Sequence, residues 1–349
     1  MNIGIVNDTH MATQAITAAL LSRDEHHVLW SATNGPDALR LCQQTTPDLV
    51  LMDLIMPGMN GVETTRAIMR SCPTTILVVT ASINNNCGLA FEAMGAGALD
   101  VITTPVLIHQ AGRHQFLQKI SQIQSIIDNQ PRGAGSNASR PHKHLSAPPP
   151  YPHPPLSHSR KTTSTLVAIG CSAGGPAAIS EILTALNPVN QAAVVIIQHI
   201  DARFIDDLAR WLNGFSKDPL QLVAEGDRLI PGHIYLAGKD GHLATDSAGR
   251  LHYNHDLGGR AYQPSVDVFF SSIARCWRGN ALGIVLTGMG RDGASGLHSM
   301  QDAGFLTLAQ DEKSSALFGM PKAAAPFASQ ILPLPSMAPF INQWIPSHP

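Results

Sequence analysis

Short apolar runs alternate with amphipathic segments along two stretches of this chain, and several of the runs end on a residue that can carry chemistry. Strands buried on both faces read as continuous apolar runs, and a helix between successive strands is what a parallel sheet needs. Residues 1–127 hold five such units, with strands expected at Ile3–Val6, His27–Ser31, Leu49–Met52, Ile76–Val79 and Asp100–Ile102. Helices are expected over Thr13–Leu21, Gly35–Gln43, Val62–Arg70 and Phe116–Ile127. The pattern stops over 128–163, where Pro, His, Ser and Gly dominate and Pro148-Pro-Pro150 and Pro154-Pro155 favour locally extended polyproline backbone. It resumes from 164, interrupted by a β-like patch at His233–Ala237 and His242–Asn254 whose Asp246-Ser-Ala-Gly249 reads as a hairpin turn. The expected fold class is α/β throughout: a doubly wound five-stranded domain over 1–127, a flexible linker over 128–163, and a mostly parallel α/β domain with a small antiparallel hairpin over 164–349.

Composition bounds the partners and the compartment. At 349 residues and 44% hydrophobic content the chain can bury two cores, and a formal charge of -2 supplies no basic face for nucleic acid or anionic membrane. Met1-Asn-Ile-Gly-Ile-Val-Asn-Asp8 lacks a basic start and a long apolar segment, and no later run approaches a membrane span, so a cytoplasmic protein is expected, with no membrane insertion. Cys42, Cys72, Cys87, Cys171 and Cys276 are scattered and odd in number, which fits free thiols. His142, His144, His153 and His158 lie irregularly among prolines and are assigned no metal site.

In the first domain, Asp53 closes the third strand and is followed by Leu-Ile-Met-Pro57-Gly58, a sharp exit that leaves a carboxylate at the sheet edge able to attack a phosphoryl group. Asp8 ends the first strand, and two acids together suit Mg²⁺, a hard cation that prefers oxygen ligands. Thr80 ends the fourth strand with a hydroxyl able to report the phosphoryl group. An aspartate at a strand end can also simply cap a turn.

Met52-Asp-Leu-Ile-Met-Pro-Gly-Met-Asn-Gly61, Val62-Glu63, Val79-Thr-Ala81 and Thr104-Pro105 resemble a response-regulator receiver domain. The resemblance implies a flavodoxin-like sheet, Asp53 as phosphoacceptor from a CheA-type histidine kinase, Thr80 as switch residue, and Mg²⁺ held by Asp8, Asp53 and Ile55. The chain departs from the family where Asn7 replaces a second acid and Thr104 replaces a lysine before the proline.

In the second domain, Thr165-Leu-Val-Ala-Ile-Gly-Cys-Ser-Ala-Gly-Gly-Pro176 places Ser172 where an apolar strand runs into a glycine turn and a helix. Val194-Val-Ile-Ile-Gln-His199 ends on a histidine, and Leu282-Gly-Ile-Val-Leu-Thr-Gly-Met-Gly-Arg-Asp292 on an aspartate. The three would meet beyond the carboxyl ends of parallel strands as nucleophile, base and orienting acid. A dinucleotide cradle competes for the glycine turn, but the GxGxxG order is missing and His199 stands where a ribose-binding acid is needed. GxSxG is missing too. His199 could instead be a core histidine, and Asp292 a turn or N-cap residue for a helix starting near Ala294.

These segments, with Phe318-Gly-Met-Pro-Lys322, resemble the catalytic domain of the chemotaxis protein-glutamate methylesterase (CheB) family, and receiver, linker and esterase follow in that family's order. The resemblance implies hydrolysis of glutamate γ-methyl esters, and deamidation of selected glutamines, on methyl-accepting chemotaxis-type receptors. It makes Ser172 the nucleophile, His199 the general base and acid, Asp292 the orienting acid, and Met289 an oxyanion donor through its N–H; the ester chemistry needs no cofactor. Ala173 stands where the family commonly has threonine. Asn7 and Thr104 make the closest resemblance the subgroup typified by WspF, the methylesterase-like regulator of Wsp surface-sensing systems. A non-catalytic adaptor that binds receptor or kinase through degenerate receiver and hydrolase domains is the alternative.

Overall fold

A computed structural model describes residues 1–23, 25–81, 83–105, 110–129, 165–238, 241–255 and 263–346. The linker expected over 128–163 lies outside the described residues except at its start, where the preceding helix continues to Asn129.

The first domain runs β1 (Asn2–Val6), α1 (His10–Leu20), β2 (His27–Ala32), α2 (Gly35–Gln44), β3 (Leu49–Met52), α3 (Gly61–Ser71), β4 (Thr75–Thr80), α4 (Ile83–Gly95), β5 (Asp100–Thr103) and α5 (Gln110–Asn129). The five strands pair in parallel in the order β2-β1-β3-β4-β5, the doubly wound sheet expected from the sequence. Local chemistry fixes the helix starts. Asn34 accepts from the N–H of Asp37 ahead of α2, and Asn60 and Glu63 form a reciprocal capping box that begins α3 directly after the Asp53 loop.

The second domain runs β6 (Thr165–Cys171), α6 (Gly175–Ala185), β7 (Ala192–Gln198), α7 (Ile205–Asn213), β8 (Leu220–Leu222), β9 (His233–Leu236), β10 (His242–Thr245), β11 (Leu251–Asn254), α8 (Val266–Cys276), β12 (Asn280–Val285), α9 (Ala294–Asp302), β13 (Leu306–Gln310), α10 (Met320–Ala324), β14 (Gln330–Leu332) and α11 (Leu334–Trp344). Seven strands form one parallel sheet in the order β14-β13-β12-β6-β7-β9-β8. The hairpin β10-β11 stands apart and is antiparallel, its turn held by Asp246, whose Oδ1 accepts from the N–H groups of Ala248 and Arg250. β9 corrects one expectation: grouped with the hairpin in the sequence, it pairs in parallel with β7 in the main sheet.

The domains share buried surface. One hydrophobic cluster joins α4 residues such as Phe91 and Met94 to Leu208 and Leu212 of α7, and Phe91 stacks on Trp211 with ring centroids 5.8 Å apart. A second cluster joins Leu99 and Phe116 of the first domain to Ala173, Met289 and Leu317 of the second. Between the domains a cleft of about 220 Å³ is lined by Asp100 and Lys119 on one side and His199, Asp201 and Arg203 on the other.

Candidate active site

β12, β6 and β7 lie side by side at the centre of the seven-stranded sheet, and the chain leaves β6 toward β7 while β12 closes its other flank. Such a reversal of strand order opens a crevice beyond the strand ends, where loops can place reacting groups. Ser172 follows β6, His199 follows β7, and the glycine-rich turn leading to Asp292 follows β12.

Ser172 is held by its backbone: its N–H donates to the carbonyl of Thr287 at 3.0 Å, and its carbonyl accepts from Gly175 at 2.8 Å. The turn needs Gly174, whose φ of +75° lies in the left-handed region and whose added Cβ would sit 2.6 Å from that of Ala316. The N–H of His199 donates to the carbonyl of Cys171 at 3.0 Å, continuing the β6-β7 register in which Cys171 faces Gln198. Gln198 ties the two turns together, its Nε2 donating to the carbonyls of Ser172 (2.8 Å) and His199 (2.9 Å). Gln198 carries no motif of its own in the sequence. An amide closing an otherwise apolar strand, here 2% exposed, is the signal that could have found it.

Asp292 accepts a hydrogen bond from Nε2 of His199 at 2.8 Å, and both side chains are 7% exposed. Its other donors are the hydroxyl of Ser265 (2.8 Å) and the N–H groups of Val266 (2.7 Å) and Asp267 (3.1 Å). Burial alone would raise this carboxyl, but the hydrogen bond and charge of His199, helped by the two amides, outweigh it and hold the pKa down to about 2. The amides belong to the first turn of α8, so the acid also sits at the positive end of a helix. The capping duty considered for Asp292 is real but falls on α8; Gly293 occupies the N-cap position of α9. Ser265 and Asp267 were not singled out from the sequence, where Ser265-Val-Asp267 reads as an ordinary helix start.

Met289 is 4% exposed in the turn after β12. That turn is braced by the Phe318-Gly-Met-Pro-Lys322 segment: Gly319 and Met320 both donate to the carbonyl of Gly288, at 3.2 and 2.9 Å. Thr287 adds a cross-link, its Oγ1 donating to the carbonyl of Ala173 at 3.1 Å and accepting from the N–H of Leu317 at 2.9 Å.

A second set of residues gathers at the carboxyl edge of the five-stranded sheet. The N–H of Asp53 donates to Val6 at 2.9 Å, and one of its carboxylate oxygens accepts from Leu54 at 2.7 Å. Burial, with a contribution from the charge of Asp8, pushes the Asp53 carboxyl above the usual range despite the amides of Leu54 and Ile55. A buried carboxylate beside a second acid is a site a hard cation relieves, so the residues fit Mg²⁺, with Ile55 able to offer only its carbonyl. Thr80, 1% exposed, ends β4, and the N–H of Thr104 donates to its carbonyl at 3.0 Å. Asn7, in the position of the second acid, uses its Oδ1 to accept from the N–H of Thr9 at 2.9 Å.

Comparison with known proteins follows this division. Residues 167–341 match the CheB methylesterase family, and residues 3–113 match the response regulator receiver domain. The chain belongs to the CheB methylesterase family. It is 45% identical over 345 residues to "Protein-glutamate methylesterase/protein-glutamine glutaminase 2" of Burkholderia lata, covering 97% of this chain and 96% of that protein. It is 46% identical over 346 residues to "Protein-glutamate methylesterase/protein-glutamine glutaminase 1" of Pseudomonas fluorescens, covering 97% of this chain and 98% of that protein. Among solved structures, the CheB methylesterase catalytic domain of Thermotoga maritima aligns at 27% identity and a TM-score of 0.49, over 52% of this chain and 99% of that one. In this CheB family member, among the described residues, no helix is long and apolar enough to cross a membrane.

Proposed function

We propose that the protein is a protein-glutamate methylesterase and protein-glutamine glutaminase, a carboxylic ester hydrolase whose receiver domain controls access to Ser172. The observation that carries this reading is the buried His199–Asp292 pair at the strand edge that also presents Ser172. Because the carboxylate accepts at Nε2, Nδ1 is the nitrogen of His199 that takes the Ser172 proton. Oγ of Ser172 then attacks the γ-carbonyl of a glutamate methyl ester. The N–H of Met289 stabilises the oxyanion, a kind of contribution often worth about 3 kcal/mol. The imidazolium protonates the departing methoxide, and methanol leaves. Water, deprotonated by His199, cleaves the acyl-serine and leaves glutamate; a glutamine side chain loses ammonia by the same steps. Asp292 stabilises the imidazolium and fixes the ring.

Ser172 is 5% exposed, and the receiver packs on Ala173 and Met289 beside it, which supports an inhibited resting arrangement in a cytoplasmic protein. Asp53 accepts the phosphoryl group from a CheA-type histidine kinase, with Thr80 sensing it. Asp8, Asp53 and the carbonyl of Ile55 would hold Mg²⁺, which when bound neutralises phosphoryl oxygens. Phosphorylation then shifts the domain equilibrium by as much as the phosphoryl group prefers the open arrangement. The substrates are methyl-accepting chemotaxis-type receptors, and Asn7 with Thr104 support a Wsp-type array among them. The test is methanol release from a methylated receptor fragment, with and without acetyl phosphate. Release that rises with the phosphodonor is expected; no methanol under either condition removes the reading.

A further inference from the structure

α8 and α9 meet at their N-termini through two aspartates, each serving the other's helix. Asp292, just ahead of α9, accepts from Val266 and Asp267 at the start of α8. Asp267, in the first turn of α8, does the converse: its Oδ1 accepts from the N–H of Gly293 at 2.9 Å and from that of Gly296 at 2.7 Å. The approach is close enough to require glycine at 296, where a Cβ would lie 2.7 Å from the Cβ of Phe270 and 2.9 Å from the Cα of Asp267 itself.

The arrangement bears on one reacting group. Gly293 is bonded directly to Asp292, so Asp267 grips the peptide on the carboxyl side of the residue that holds His199. Asp292 is thereby fixed from both directions, its side chain by Ser265 and the amides of α8 and its backbone by Asp267. The free energy of a cap would be met by one such contact; two reciprocal ones define the position of a side chain.

We propose that Asp267 is a positioning residue of the hydrolysis: its bonds to Gly293 and Gly296 set the Asp292 carboxylate against Nε2 of His199. It acts through Asp292 and touches neither Ser172 nor the scissile carbonyl. This rests on the Ser172, His199 and Asp292 assignment above.

The experiment uses the full chain treated with acetyl phosphate, a receptor fragment carrying glutamate γ-methyl esters, and the variants Asp267→Ala, Asp267→Asn and Asp292→Ala. Asp267→Ala is expected to lower kcat by about 10–100-fold with KM changed less than about twofold, since a misplaced group far from the substrate costs rate more than binding. Labelling of Ser172 by a fluorophosphonate should slow by a similar factor. Asp267→Asn keeps an acceptor oxygen and is expected to restore kcat to within about threefold. If Asp267→Ala does not fold, Asp267→Ser, whose shorter side chain withdraws the acceptor from Gly293 and Gly296, replaces it with the same expectation. A lowered melting temperature with unchanged kcat makes Asp267 a helix cap only and overturns the proposal, as does Asp267→Asn being as slow as the alanine variant. Full activity in Asp292→Ala overturns the catalytic assignment itself, an outcome distinct from a failure confined to Asp267.

Discussion

The N–H of Gly174, two positions beyond Ser172, donates to the carbonyl of Leu99 at 2.8 Å, so the turn that presents the serine is hydrogen-bonded to the residue entering β5 of the receiver. Ala173 is buried beneath the same contact. Separating the receiver from this turn breaks that bond.

Replacing Ser172 by Ala removes one oxygen from a side chain already packed, so the fold should survive. Turnover is expected to fall by at least about 10³-fold, since removing a nucleophile leaves only binding and oxyanion effects. Methanol release beside an unchanged circular dichroism spectrum checks this. His199→Ala should lose activity on a similar scale, and a variant retaining most of its activity at either position removes that residue from its role.

The stacked pair Phe91 and Trp211 spans the domains. Trp211→Ala removes the ring from the face of α7 and should raise activity without phosphodonor by about fivefold, because an aromatic contact contributes on the order of 1 kcal/mol beyond its buried area. With phosphodonor the variant and the parent should converge. Equal basal rates would show that this contact does not hold the closed arrangement.

Asp292 gives stability a sign with pH. Its carboxyl is held at about 2, below its ordinary value of 3.8, so the stabilisation is complete above the unfolded value and is lost as pH falls through the folded one. The amount is roughly 2 kcal/mol. Urea unfolding should therefore weaken more steeply between about pH 4 and pH 2 in the parent than in Asp292→Asn. Parallel curves would detach Asp292 from this linkage.

Asp53 carries the opposite sign. Burial and Asp8 raise its carboxyl, so the ionised form costs stability at neutral pH and the cost is relieved as pH falls through the raised value. Asp53→Asn is expected to raise the thermal midpoint at pH 7 without Mg²⁺ and to abolish activation by acetyl phosphate. Added Mg²⁺ should stabilise the parent and not the variant. A variant that Mg²⁺ stabilises as much as the parent would place the cation elsewhere.

The parts legible in the sequence were those set by short-range pattern. Apolar runs ending at Val6, Met52, Thr80, Cys171 and Gln198 put the strands where they lie, because a strand buried on both faces must be apolar throughout. α4 was not named in advance: it opens Ile83-Asn-Asn-Asn-Cys-Gly88, residues of poor helix propensity, and its buried Phe91 and Met94 belong to a core shared with the other domain. The partner of β9 was missed because a four-residue strand looks alike whether it enters a hairpin or the main sheet. Ser172 and His199 directly follow β6 and β7, as the apolar runs indicate, and the turn after β12 brings Asp292 to His199. The second set of contacts around Asp292 could not be read from the sequence, since Asp267 and Gly296 meet only when α8 packs on α9.

Phe91 lies fully buried in the receiver while its ring faces Trp211 of the hydrolase domain. A side chain that belongs to two folds makes them share one fate. Mild heating that loosens the receiver is therefore expected to loosen the packing around Trp211 of the hydrolase domain as well.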